Sequence, residues 1–194
     1  MEQLKVDFDK VIESLKLSEK SINSRKKNLN QFIENGFPNK KVEDWKFSDL
    51  NQIISSNIEN LCFQADLKIG VFDETILIDK FEHNKIIFLN GVILKVDFSF
   101  EDDTKVLITR DLNLNKNFKE VNSLVSLNNA LIANYIGVTV KENYSLNKPL
   151  IIYNITSKEL KSTAINLKTD IVLEKNSSLK LINLFDDNSE NNFI

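Results

Sequence analysis

Val138-Thr139-Val140-Lys141-Glu142-Asn143-Tyr144-Ser145-Leu146 and Ile171-Val172-Leu173-Glu174-Lys175-Asn176-Ser177-Ser178-Leu179 are two statements of one pattern. Each begins with a short aliphatic run, crosses two opposite charges, reaches an Asn suited to a bend, and re-enters on an apolar residue. Leu150-Ile151-Ile152-Tyr153 lies between them, and Leu179-Lys180-Leu181-Ile182-Asn183-Leu184 overlaps and follows the second. Short strands separated by bends at repeating intervals suit a solenoid, in which each turn buries its face on the next. A β-sandwich would give a similar strand count. No glycine follows Gly137, whereas tight hairpins would want more, and this favours the solenoid. Asp186-Asp187-Asn188-Ser189-Glu190-Asn191-Asn192 reads as a further bend and Phe193-Ile194 as the start of another strand. The expectation is therefore a truncated chain, which self-associates through its open last turn.

Working back from the repeat, Leu124, Leu127, Ala130 and Leu131 suggest a short helix, and residues 111–122 a loop. Lys105-Val106-Leu107-Ile108-Thr109, Lys85-Ile86-Ile87-Phe88-Leu89 and Ile76-Leu77-Ile78 read as strands. Asn90-Gly91 before Val92-Ile93-Leu94-Lys95-Val96 signals a hairpin, because a type I′ turn needs positive φ at both central residues. Upstream the period becomes helical. Val6, Val11, Ile12 and Leu15 mark one helix. Ser18 caps a second over Glu19 to Asn35, with Ile22, Leu29, Phe32 and Ile33 on one face. Gly36 and Pro38 end it. Arg25, Lys26 and Lys27 are expected to form a solvated face. A third helix is expected from Ser48 or Asp49, carrying Leu50, Ile53, Ile54 and Ile58. Between the second and third lies Glu43-Asp44-Trp45-Lys46-Phe47, with the single Trp of the chain. Its Trp-x-Phe pair is expected to bury both rings while the charged neighbours stay at the water boundary.

The totals exclude several classes. A chain of 194 residues, 42% hydrophobic and 27% charged, is globular and long enough for a real core. A net charge of −3 argues against nucleic acid as a partner. No run approaches the roughly 20 apolar residues of a membrane span, and the N-terminus has no uninterrupted apolar core of a secretory signal. Cytoplasmic localisation is the expectation. One cysteine, Cys62, permits no internal disulfide. Flanked by Leu61 and Phe63, it reads as a small buried apolar residue rather than a nucleophile or cluster ligand. His83, the single histidine, cannot build a Cys/His zinc site and reads as a surface or structural residue in a turn. Glu101-Asp102-Asp103 and Asp186-Asp187 lack the spaced oxygens and glycine of a calcium loop and read as solvated loops. No phosphate-binding glycine motif occurs. Catalytic, cofactor-binding and metal residues are thus all expected to be none.

In order along the chain, Arg25, Phe32, Gly36, Pro38, then Glu43-Asp44-Trp45-Lys46-Phe47-Ser48-x-Leu50, then Ile87-Phe88-Leu89-Asn90-Gly91-Val92-Ile93 form a series. Leu127-Asn128-x-Ala130-Leu131, Ile136-x-Val138-x-Val140 and Lys148-Pro149-Leu150 continue it. The series resembles the N-terminal part of the SufD family of the SUF iron–sulfur cluster assembly machinery. The family usually has Tyr at the position of Phe47 and Thr at that of Ser48. The resemblance implies an α+β chain: an N-terminal helical region over 1–60, a mixed β region with the hairpin over 61–122, and the first turns of a right-handed parallel β-helix over 123–194. It implies a non-catalytic scaffold subunit that pairs with SufB and binds the ATPase SufC through regions largely beyond this stretch. The Fe–S cluster is assembled by the complex, with no cofactor in this segment. The rival reading is a secreted or surface β-solenoid that mediates interaction or acts on carbohydrate.

Overall fold

The computed structural model describes residues 2–57, 62–63, 71–112, 122–160 and 162–187. Its helices are α1 (Glu2–Ser14), α2 (Glu19–Asn35), α3 (Leu50–Asn57) and α4 (Ser123–Leu131). Its strands are β1 (Asn84–Leu89), β2 (Val92–Asp97), β3 (Val106–Thr109), β4 (Asn134–Val140), β5 (Leu150–Thr156), β6 (Leu167–Leu173) and β7 (Leu181–Asp187).

Leu4, Phe8 and Val11, spaced four and three apart, put one buried stripe on α1. The Ser18 hydroxyl accepts the Ser21 N–H at 3.3 Å and starts α2. Gly36, at φ 68°, ends it by donating its N–H to the Phe32 carbonyl. Leu29 and Phe32 then pack with Leu127, Ala130 and Leu131 of α4 and with Phe63 and Ala164 in one cluster. Complete burial of a side chain such as Phe32 is worth roughly 1.5–3 kcal/mol.

Arg25 departs from the expected solvated face. It lies four and seven positions before Leu29 and Phe32, so it shares their stripe, and it is only 3% exposed. Its Nη1 donates to the Ala130 carbonyl at 3.1 Å, in the last turn of α4 where a cation is favoured. Burial lowers the guanidinium pKa to about 10. Lys26 and Lys27 are exposed. The Trp-x-Phe expectation also fails in part: Trp45 is half-buried, but Phe47 is 89% exposed beneath the Lys46 ammonium. Glu43–Trp45 form a 3₁₀ turn, and in that geometry residues two apart point in different directions; only a strand would put them on one face.

Two sheets follow, one ordered β2-β1-β5-β7 and the other β3-β4-β6. Asn90 and Gly91, at φ 51° and 78°, form the turn between the antiparallel strands β1 and β2. The echo in the sequence becomes a pairing: β4 and β6 run parallel with Val138 against Ile171 and Val140 against Leu173. Asn143 and Asn176 bend the chain at φ 59° and 58°. The two bends stack, with Asn176 Nδ2 donating to Asn143 Oδ1 at 3.0 Å and Ser178 Oγ 2.7 Å from Ser145 Oγ, each pair 33 positions apart. Lys141 and Glu174 form an ion pair at 2.9 Å across the same offset.

The right-handed parallel β-helix expected from this repeat is not what the strands build. The described residues form four helices and two small mixed sheets, each with an antiparallel pair at one edge, β1–β2 in one and β3–β4 in the other. A repeat of strand and bend specifies only which neighbours pair; it does not specify that every strand runs the same way, and the Asn-Gly turn imposes a reversal. Ile76-Leu77-Ile78 is likewise not a strand. Asp73 accepts from the Thr75 N–H and hydroxyl and folds Glu74–Ile76 into a 3₁₀ turn. The expected loop falls largely, and Ile58 and the Phe193-Ile194 strand wholly, outside the described residues; Asp186 and Asp187, expected in a bend, belong to β7.

The sheets enclose Ile86, Phe88, Val106, Ile136, Val138, Leu150 and Ile152. On its other face the larger sheet buries Ile87, Leu89, Ile151, Tyr153 and Ile155 beneath Phe72, Ile76, Leu77 and Ile78. Covered on both faces, β5 is buried throughout, which is why it reads as a nearly unbroken apolar run.

Candidate functional site

Moving outward from β5, the core between the sheets runs out. β5 is buried along its length, whereas β6 is half-buried to exposed and β7 mostly exposed. Leu173 is 48%, Leu181 46% and Phe185 62% exposed, with Ile182 and Val172 also in solvent. Between the last strands lies a groove of about 490 Å³, lined by Ile171 of β6, Leu181, Asn183 and Phe185 of β7, and Leu124 and Leu127 of α4. Its mouth is the continuation of the inter-sheet core. Exposed apolar side chains grouped beside a sheet edge mark a surface for another polypeptide.

The backbone of β7 is oriented for such contact. The Lys180 carbonyl accepts from the Leu150 N–H at 2.8 Å, so alternate residues from Lys180 turn their polar groups toward β5. Leu181, Asn183 and Phe185 turn theirs the other way. Asn183 Oδ1 accepts from Asn154 Nδ2 at 2.7 Å, which ties its side chain to β5.

The residues singled out for chemistry are engaged in structure. His83 is buried rather than at the surface, and it has partners. The Phe81 carbonyl, 2.9 Å from Nδ1, can only accept, so Nδ1 carries the proton. Nε2 then accepts from the Tyr153 hydroxyl at 2.9 Å, and the hydroxyl oxygen accepts from the Ile78 N–H at 3.2 Å. Burial raises the Tyr153 pKa, against the lowering effect of the Ile78 N–H. Cys62, partly buried, exchanges backbone hydrogen bonds with the Ser162 carbonyl and the Ala164 N–H.

Glu101 is not a solvated loop acid. Oε1 accepts from Asn84 Nδ2 at 2.7 Å and the Lys148 N–H at 3.1 Å; Oε2 accepts from the Tyr144 hydroxyl at 2.8 Å and the Asn147 N–H at 3.0 Å. Burial pushes its pKa up, but these donors together hold the carboxyl below its ordinary value. Its partners lie 17 to 47 positions away, so no local sequence signal announces the arrangement. Asp102 accepts from the Thr104 hydroxyl and N–H, which lower its pKa. Among the described residues, no three His, Cys, Asp or Glu side chains are grouped so as to hold a metal ion. No described helix is long and apolar enough to cross a membrane.

Among the described residues the geometry singles out the apolar edge at β7. Comparison with protein-family models and with curated proteins gives no match.

Proposed function

We propose that this chain is a non-catalytic scaffold subunit of SUF iron–sulfur cluster assembly, of the SufD kind. It acts in the cytoplasm, pairing with SufB and the ATPase SufC. The cluster is the cargo of the assembled complex, and this segment contributes no ligand to it. The observation that carries the reading is the apolar end of the two sheets, where Leu173, Leu181, Ile182 and Phe185 stand in solvent beside a groove. Such a surface suits a protein whose work is to be bound.

The ordered residues from Arg25 through Glu43-Asp44-Trp45-Lys46-Phe47 to Asn90-Gly91 direct the choice of partner. Their placement is compatible with a scaffold: Arg25 fastens α2 to α4, Asn90-Gly91 closes the hairpin, and Phe47 projects into solvent. The test is affinity purification of the tagged gene product from its own cells, followed by size exclusion with light scattering. SufB and SufC are expected in stable stoichiometry. A well-folded gene product that elutes without either of them overturns the proposal.

A further inference from the structure

We infer that the cavity beside the start of α2 binds a phosphate group, free or carried on a small organic molecule. This site is separate from the apolar edge at β7 and does not depend on the scaffold reading. The cavity holds about 340 Å³ and is bounded on one side by Ser18, Ser21 and Arg25. Spaced three and four apart, these share one face of the first two turns of α2. Lys16, at φ 44°, bends the chain between α1 and α2 and joins the lining. The other walls come from residues 110–112 after β3, the chain that follows α4, and Tyr135 of β4.

Arg25 points to a ligand. It is 3% exposed, and the Ala130 carbonyl takes one of its five N–H donors at 3.1 Å. The Nε–H is buried with no acceptor. Among the described residues no carboxylate pairs with Arg25 or with Arg110. A buried guanidinium without a counter-ion is costly, and an anion in the cavity supplies the charge and the acceptor that the protein does not. With a pKa of about 10, Arg25 stays cationic at neutral pH. Arg110 and Lys16 are exposed at the rim, as is Asp111, so the described lining sets three cations against one carboxylate. The start of α2 adds the partial positive charge of a helix N-terminus on the same side.

Three cations around one opening suit a doubly charged phosphate better than a singly charged carboxylate. From Ser18 to Arg25 the stripe runs about 10 Å along the helix, which is longer than a phosphate group. Leu17, Ile132 and Tyr135 give the remaining space an apolar and aromatic wall. The carrier that fits is therefore a small organic phosphate monoester.

The experiment titrates the purified 194-residue chain with inorganic phosphate, O-phosphoserine and AMP at constant ionic strength, by calorimetry and by phosphorus NMR. Saturable one-site binding with a Kd of about 1 mM or below is expected for at least one of the three. A monoester that binds tighter than inorganic phosphate assigns the site to a small-molecule phosphate; the reverse order assigns it to the free ion. Arg110→Gln and Lys16→Gln alter exposed residues, and each should weaken binding by about threefold to tenfold. Arg25→Lys, checked for folding by circular dichroism, keeps the charge but loses the fork of donors and should weaken it about tenfold or more. Asp111→Asn should tighten binding, because it removes a repelling charge from the rim. Lys26→Gln with Lys27→Gln removes two exposed cations outside the lining and should leave the Kd within about twofold, which separates a built site from general attraction to a basic helix. No saturable binding of any of the three probes, a Kd indifferent to both Arg110→Gln and Lys16→Gln, or equal weakening by the change at Lys26 and Lys27 overturns the inference.

Discussion

Replacing Glu101 with glutamine isolates the hydrogen-bonding centre that ties the β1 start, the turn after β2 and the approach to β5. The carboxylate accepts four donors, two on each oxygen. Glutamine has the same shape but one acceptor oxygen. If that oxygen keeps Asn84 and Lys148, the new amide group faces the Asn147 N–H, donor against donor. The Tyr144 oxygen offers little relief, since it already accepts from Asn147 Nδ2 at 3.1 Å and the Asp102 N–H at 3.3 Å. Asn147 is exposed, so water can take up part of the lost bond and the loss lies near the low end of about 1–3 kcal/mol. Weakening of the remaining charge-assisted bonds brings the total to roughly 2 kcal/mol.

In urea, with a slope of about 1–3 kcal/mol per molar, the unfolding midpoint should fall by roughly 1 M at pH 7. The pH dependence follows from the lowered folded pKa. Between that value and the unfolded value near 4.3, the unfolded chain holds more protons on this group than the native one. The native advantage of the carboxylate is therefore complete above the unfolded pKa and is lost as pH falls through the folded one. The gap between the two proteins should be flat from about pH 7 to pH 5 and close in more acid solution. Other acids titrate in both proteins and drop out of the difference. An unchanged midpoint at pH 7, or a gap that survives undiminished near pH 3, would refute the reasoning.

Asn143→Ala and Asn176→Ala each force a Cβ that lacks Asn's local hydrogen bonding into left-handed backbone, and should cost about 1–2 kcal/mol in thermal unfolding. The glycine variants at the same positions should lose appreciably less, which separates backbone strain from loss of the Asn–Asn bond. Tyr153→Phe removes the hydroxyl shared by His83 and the Ile78 N–H; a loss of roughly 1–3 kcal/mol in urea titration is expected. Hydrogen exchange at Ile78 should quicken in the same variant. Gly137→Ala places a Cβ 2.7 Å from Thr109 Cγ2 and 2.8 Å from the Tyr135 hydroxyl; roughly 1–3 kcal/mol should be lost, read by calorimetry.

The features that could be read in the sequence are those written within a few residues. Ser18, the apolar spacing through Phe32 and Gly36 define α2 because capping and amphipathicity are local. Asn90-Gly91 announces its hairpin for the same reason, and the two Asn bends announce theirs. Arg25 was misassigned because its partner carbonyl lies 105 positions away, although its spacing from Leu29 and Phe32 already placed it on the buried stripe. The β-helix expectation failed at the same level: the repeat encodes which strands are neighbours, while strand direction at β2 and β3 is set elsewhere. The apolar edge was only partly legible. Leu181 and Phe185 read as strand residues, but nothing in β7 itself says that it is the outermost strand of its sheet among the described residues.

Asn90 holds two kinds of contact at once, and this bears on the order in which the molecule assembles. Its backbone closes the turn to β2 within a handful of residues, while its side chain donates to Ser157 Oγ and accepts from the Ser157 N–H, 67 positions along. The first closure belongs to the microsecond regime of hairpins; the second must wait for a long stretch of chain to be drawn in. Asn90→Gly would keep the early event and delete the late latch, so in stopped-flow refolding the fast phase should survive while unfolding accelerates.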